Sequence, residues 1–194
     1  MKNKQYLLDT NILIDFLDGV PSVIEHVLKA GVKTCYVSSV SIHELFYGAY
    51  LAKEKKEEFY NKEIKKINKL IEYFDILPLS EQAEQYGRIK YALKKKGEMI
   101  DEFDMLIAGQ ALSEGLTVVT DNVKHFNRIE GLKIANWLKK WPLIDHAGEP
   151  SIILANCQRR ICLESGLLFC IFAIANKKLR WQSEMMAASR KRLP

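Results

Sequence analysis

Up to about Trp141, short apolar runs alternate with longer segments of helical periodicity, and this alternation most limits how the chain can fold. Tyr6-Leu-Leu-Asp9 is an apolar run closed by a polar break, the mark of a buried strand. Thr34–Ser38, Phe74–Leu77 (stopped by Pro78) and Thr117–Thr120 repeat the pattern, and Lys133–Ala135 is a short fifth candidate. Between them lie a short helix over Ile12–Leu17 and a helix from Ser39 or Ser41 to about Tyr50. A long charged helix follows, with Phe59, Tyr60, Ile64, Ile67, Leu70 and Ile71 on one face. Another helix is marked by Leu79, Ala83, Tyr86, Ile89 and Leu93 and ends before Gly97; the last spans Glu102–Ser113 and is closed by Gly115. Strands alternating with helices imply an α/β fold, a mainly parallel sheet covered by helices on both faces.

Composition narrows the class further. The 194 residues are 48% hydrophobic and 27% charged, values typical of a globular domain and unlike those of collagen-like, disordered or disulfide-dense chains. The longest apolar stretch, Leu167–Ala175, falls well short of the roughly 20 residues of a membrane-spanning helix. No secretory apolar region follows the N-terminus, so a cytoplasmic protein without a membrane partner is expected. The net charge of +5 is unevenly distributed: residues 1–141 carry 21 Lys/Arg against 20 Asp/Glu, and residues 142–194 carry 8 against 4. The basic excess therefore belongs mostly to the last quarter and is weak evidence for a nucleic-acid partner. Cys35, Cys157, Cys162 and Cys170 show no zinc-like pairing.

The organisation changes after Trp141-Pro142. Residues 1–141 read as one domain. Residues 142–194 read as an atypical extension, either a helical pair packed on that domain or a segment outside its fold.

The informative feature is where the acids fall. In an open parallel sheet, ligands bind beyond the carboxyl ends of the strands. The first strand ends at Asp9-Thr10-Asn11 and the fourth at Thr120-Asp121-Asn122. Glu44 lies early in the helix after the second strand. Asp104 lies near the start of the helix before the fourth, with Asp101 and Glu102 just upstream. Carboxylates brought together repel one another and resist desolvation, and a hard divalent cation such as Mg²⁺ or Mn²⁺ relieves both effects. Metal-assisted phosphodiester hydrolysis is the chemistry that follows. Each residue also has a plainer use. Asp9-Thr10-Asn11 contains good helix caps, Ser41-Ile-His-Glu44 matches a capping box, the acids at 101, 102 and 104 suit a helix N-terminus, and Asp121-Asn122 fits an ordinary turn.

Other features carry less. His26, His43, His125 and His146 show no metal spacing, and there is no Gly-rich phosphate loop or nucleophile elbow. The Lys-rich run 53–69 reads as a solvated helix face, and Phe46, Tyr47 and Tyr50 as core or interface.

Five segments occur in one order: Leu8-Asp-Thr-Asn-Ile-Leu-Ile-Asp15, Ser39-Val-Ser-Ile-His-Glu-Leu-Phe-Tyr-Gly-Ala49, Phe103-Asp-Met-Leu-Ile-Ala-Gly-Gln-Ala-Leu112, Val118-Val-Thr-Asp-Asn-Val-Lys-His-Phe126 and Ile129-Glu-Gly-Leu-Lys-Ile-Ala-Asn-Trp137. Over about residues 3–140 the chain resembles PIN-domain ribonucleases, specifically the VapC toxins of bacterial toxin–antitoxin pairs. The resemblance implies a PIN-like three-layer α/β/α sandwich and a Mg²⁺- or Mn²⁺-dependent endoribonuclease, often acting on tRNA. By position it implies Asp9, Glu44 and Asp104 as the acids of the site and candidate metal ligands, with Asn11 supporting the first. The fourth position is open: either Asn122 fills it as a weaker ligand, or Asp121 turns inward. The resemblance further implies a homodimer and a cognate antitoxin, with residues 45–75 as the dimer or antitoxin surface. The extension after Trp141 departs from the family. Three other readings stand beside this one: a structure-specific DNA nuclease of the same fold, a module that binds RNA or a protein partner without cutting, and a phosphatase using Asp9 as nucleophile. The last is disfavoured because Asn11 stands where a second Asp is needed.

Overall fold

The computed structural model describes residues 4–79 and 82–138; the extension expected at 142–194, with Cys157, Cys162 and Cys170, lies outside them. Five strands form one all-parallel sheet: β1 (Tyr6–Leu8), β2 (Cys35–Ser38), β3 (Asp75–Leu77), β4 (Thr117–Val119) and β5 (Lys133–Ala135), in the order β3-β2-β1-β4-β5. The helices are α1 (Thr10–Leu17), α2 (Pro21–Ala30), α3 (Ser39–Lys55), α4 (Glu57–Tyr73), α5 (Ala83–Lys96), α6 (Glu102–Glu114) and the single turn α7 (Val123–Phe126). The chain winds outward from β1 through β2 to β3, then returns to β4 on the other side of β1. Right-handed crossovers place α1–α4 on one face and α5 and α6 on the other, in agreement with the packing of α1 on α2 and α3, α3 on α4, and α5 on α6. This is the expected α/β/α sandwich.

The strands are three or four residues long; the central β1, β2 and β4 are almost wholly buried, as a parallel sheet covered on both faces requires, whereas the edge strands β3 and β5 are partly exposed. Alternation along β1 sends Leu7 and Leu8 to opposite layers. Leu7 joins Val118, Leu93, Met105, Ile107, Ala108 and Phe126 in the core beneath α5 and α6. Opposite, Phe16 meets Phe74 edge to face at 5.5 Å. Gly109 lets α6 approach the start of α5: a Cβ there would stand 3.2 Å from the Tyr86 backbone nitrogen.

Several expectations shift. Helix α2 was not anticipated, although Pro21 at its first turn, Val23, Ile24 and Val27 on its buried face and Gly31 after its end are ordinary signals. Helix α3 continues to Lys55, and Lys56, in extended conformation, separates it from α4. Leu79 is exposed and precedes α5. Tyr47 and Tyr50 are 67% and 56% exposed, which excludes them from the core.

Candidate active site

The point where the strand order reverses, between β1 and β4, is where a doubly wound sheet opens a crevice at its carboxyl edge. Asp9 follows β1 directly there. Its backbone N–H continues the ladder to Val119 O at 3.0 Å, and its side chain caps α1, with Oδ1 accepting from Thr10 N at 2.8 Å. The capping role and a place in the site are thus compatible. Asp9 is only 4% exposed, and its other oxygen accepts from the Thr120 hydroxyl at 2.6 Å.

Thr120, fully buried at the end of β4, is the hub of this edge. Its Oγ1 donates to Asp9 and accepts from Asn122 N at 2.9 Å and from Asn11 Nδ2 at 3.4 Å. Asn11 also accepts from Asp121 N at 3.4 Å, tying the start of α1 to the loop after β4. Glu44 is held from the other side: Thr10 Oγ1 donates to its Oε2 at 2.5 Å. The capping-box reading of Ser41 and Glu44 is overturned. Helix α3 begins three residues earlier, capped by Ser38 on Val40 N, so Glu44 stands in the second turn with its side chain toward Thr10.

Asp104, in the first turn of α6, accepts from Asn122 Nδ2 at 3.0 Å, and His125 Nδ1 lies 2.8 Å from the same oxygen. Asn122 is therefore the residue turned toward Asp104. Asp121 is exposed and accepts from Asn136 Nδ2 at 3.1 Å, on the rim. Asp101 caps α6 through Phe103 N, and Glu102 accepts from Tyr86 and Lys90. His125, Thr10 and Thr120 were not anticipated as site residues. For His125 a signal existed, its i+3 spacing from Asn122 across a one-turn helix.

Electrostatics bind these groups into one unit. Burial pushes the Asp9 carboxyl up to about 6; hydrogen bonds from Thr120 and Thr10 oppose the rise, and the charges of Asp104 and Glu44 add to it. Glu44 is raised by burial, against the Thr10 hydrogen bond and with help from Asp101 and Asp104. Among the described residues, no Lys or Arg pairs with Asp9, Glu44 or Asp104. Nor, among them, do three His, Cys, Asp or Glu side chains stand close enough to enclose an ion by themselves. An all-protein cage is thereby ruled out for these residues, while an ion held by one or two carboxylates and completed by water and phosphate oxygens, the usual state of Mg²⁺, fits. The only described cysteine, Cys35, is buried with its thiol pushed up to about 12, which leaves it inert as a nucleophile.

Beside Glu44, a groove of about 530 Å³ runs between α1, α3 and α4, with Ile14, Leu17, Leu51, Phe59 and Ile67 among its walls.

A five-stranded doubly wound sheet with a buried carboxylate at its switch point defines a class, an α/β/α protein with an acidic crevice at that edge. The PIN domain model matches residues 6–132. The chain is 35% identical over 136 residues to "Ribonuclease VapC2" of Haemophilus influenzae, covering 69% of this chain and 98% of that protein. It is 31% identical over 134 residues to "tRNA(fMet)-specific endonuclease VapC" of Shigella flexneri, with the same coverage. The DNA-bound VapBC structure from Salmonella typhimurium superposes with a TM-score of 0.62 at 31% identity, over 69% of this chain and 98% of that one. The VapBC-1 structure from nontypeable Haemophilus influenzae gives 0.60 at 33%, with the same coverage. The chain belongs to the PIN-domain family, in its VapC ribonuclease branch.

Proposed function

We propose that this protein is the toxin of a toxin–antitoxin pair and hydrolyses RNA phosphodiester bonds with the aid of Mg²⁺ or Mn²⁺. The observation that carries this reading is the buried Asp9, raised to about 6 beside Glu44 and Asp104 with no described cationic partner. Such a group is poorly stabilised alone and well stabilised by a divalent ion. Asp9 and Asp104 would hold the ion, with Glu44 at its edge. When bound, it would supply charge neutralisation at the phosphate and a more acidic water.

The protein's own groups do the rest. Thr120 and Thr10 fix the Asp9 carboxylate by one hydrogen bond on each oxygen. Thr10 occupies Glu44 Oε2, so Oε1 retains acceptor capacity, and its raised affinity for protons suits it to take one from the attacking water. Asn11 and Asn122 position Thr120 and Asp104; Asp121 stands at the rim, where it would meet the substrate backbone.

A tRNA substrate is supported by the name of the Shigella flexneri relative. An antitoxin partner is supported by the VapBC neighbours and by the groove beside Glu44, whose apolar walls lie largely within residues 45–75. The exposed Tyr47 and Tyr50 on α3 offer a face for a homodimer. Purified full-length chain incubated with total tRNA tests the reading. Cleavage with Mn²⁺ or Mg²⁺, none in EDTA, and loss in Asp104→Asn are expected. Equal cleavage in EDTA would overturn the metal reading, and cutting of flap DNA instead of RNA would favour the DNA nuclease.

A further inference from the structure

Asp104 Oδ2, Asn122 Nδ2 and His125 Nδ1 form a closed triangle with edges of 3.0, 2.7 and 2.8 Å. Protons cannot satisfy all three edges. If His125 Nδ1 carries a hydrogen, it donates to Asp104 and confronts the Asn122 amide donor. If it does not, its lone pair faces the carboxylate. A cation resolves the conflict. Ligands at right angles and 2.0–2.1 Å from an octahedral ion stand about 3 Å apart, the size of this triangle. A half-turn of the Asn122 amide would present Oδ1 where Nδ2 now lies, leaving three donor atoms on one face.

We propose that His125 Nδ1 is a ligand of the divalent ion at Asp104, with the Asn122 carbonyl completing the face and Asp9 acting on the ion through a bound water, and that this nitrogen makes the site prefer Mn²⁺ to Mg²⁺. The inference rests on the metal-dependent reading above. Imidazole binds transition-metal ions well, whereas Mg²⁺ is served by oxygen ligands, so a nitrogen in an otherwise all-oxygen site shifts selection. His125 is partly exposed, with 38% of its side chain open to solvent, which leaves room for an ion and its waters to enter.

The test is electron spin echo envelope modulation of the full-length protein loaded with Mn²⁺ alone. Nitrogen modulation is expected, changed to the ¹⁵N pattern by ¹⁵N-histidine labelling, absent in His125→Gln and retained in His43→Gln. Calorimetry should show the ratio of Mg²⁺ to Mn²⁺ Kd falling about tenfold or more in His125→Asp, the scale on which removing a supporting group acts. Bound Mn²⁺ without nitrogen modulation, or modulation that survives His125→Gln, overturns this inference and leaves the carboxylate site standing. Failure to bind Mn²⁺ at all overturns both.

Discussion

Asp9→Asn should abolish activity and raise stability together, an outcome that follows from burial of an unneutralised carboxylate. Lifting that carboxyl from 3.8 to about 6 corresponds to about 3 kcal/mol at neutral pH. Because the folded-state value is raised, the native protein binds more protons than the unfolded chain between about pH 4 and 6. Stability from this group therefore falls as pH rises through that window, and the penalty is complete above it. Asn is neutral, has the same shape and still accepts from Thr10 N. Its amide must donate to Thr120 Oγ1, which already accepts from Asn122 and Asn11, so part of the gain is lost and about 1–3 kcal/mol remains. At about 2–4 °C per kcal/mol for a chain of this size, Tm in EDTA at pH 8 should rise by roughly 3–10 °C. Most of the difference should vanish by pH 4.5, where the wild-type carboxyl is largely protonated. Saturating Mn²⁺ should restore the wild type through ion binding and leave the variant little changed. Thermal melts by circular dichroism at the two pH values measure this. A variant less stable than wild type at pH 8, or a difference independent of pH, would refute the reasoning.

Three further outcomes follow from the same geometry. Thr120→Val removes the donor on Asp9 Oδ2 and should cost about 1–3 kcal/mol while pushing Asp9 higher still, seen as a metal-binding midpoint displaced to higher pH. Proton and ion compete for Asp9, so Mn²⁺ affinity in the wild type should climb as pH rises toward about 6 and level off above it, as read by calorimetry. Gly109→Ala places a Cβ 3.2 Å from the Tyr86 backbone. Overpacking of about 1–3 kcal/mol exceeds the helix-propensity gain of about 1 kcal/mol, so the Tm should fall.

The strands and the three acids were legible because their signals are local. An apolar run closed by Asp9, or a helix opening on Asp101 and Asp104, declares itself within a few residues, and parallel topology carries such ends to one edge. The choice between Asp121 and Asn122 was not local. It depends on Asn136, far along the chain, which holds the Asp121 carboxylate, and on Asp104, which attracts the Asn122 amide. Thr120 reads as a strand former, and nothing in its neighbours reveals that its hydroxyl meets Asp9 across 111 positions. His125 has no metal spacing to another histidine; its partners are Asp104 on α6 and Asn122, which precedes α7. Ser41 and Glu44 fit a capping box by pattern, yet Ser38 captures the helix start first, and its serine hydroxyl accepts from Val40 N.

The anomalous signal of Mn²⁺ in crystals of the full-length protein at pH 7.5 reports most directly on whether these distant acids act on one ion. The account predicts a peak between Asp9 and Asp104 that disappears in Asp9→Asn crystals. A peak away from both carboxylates, or the same peak in the variant, would contradict it.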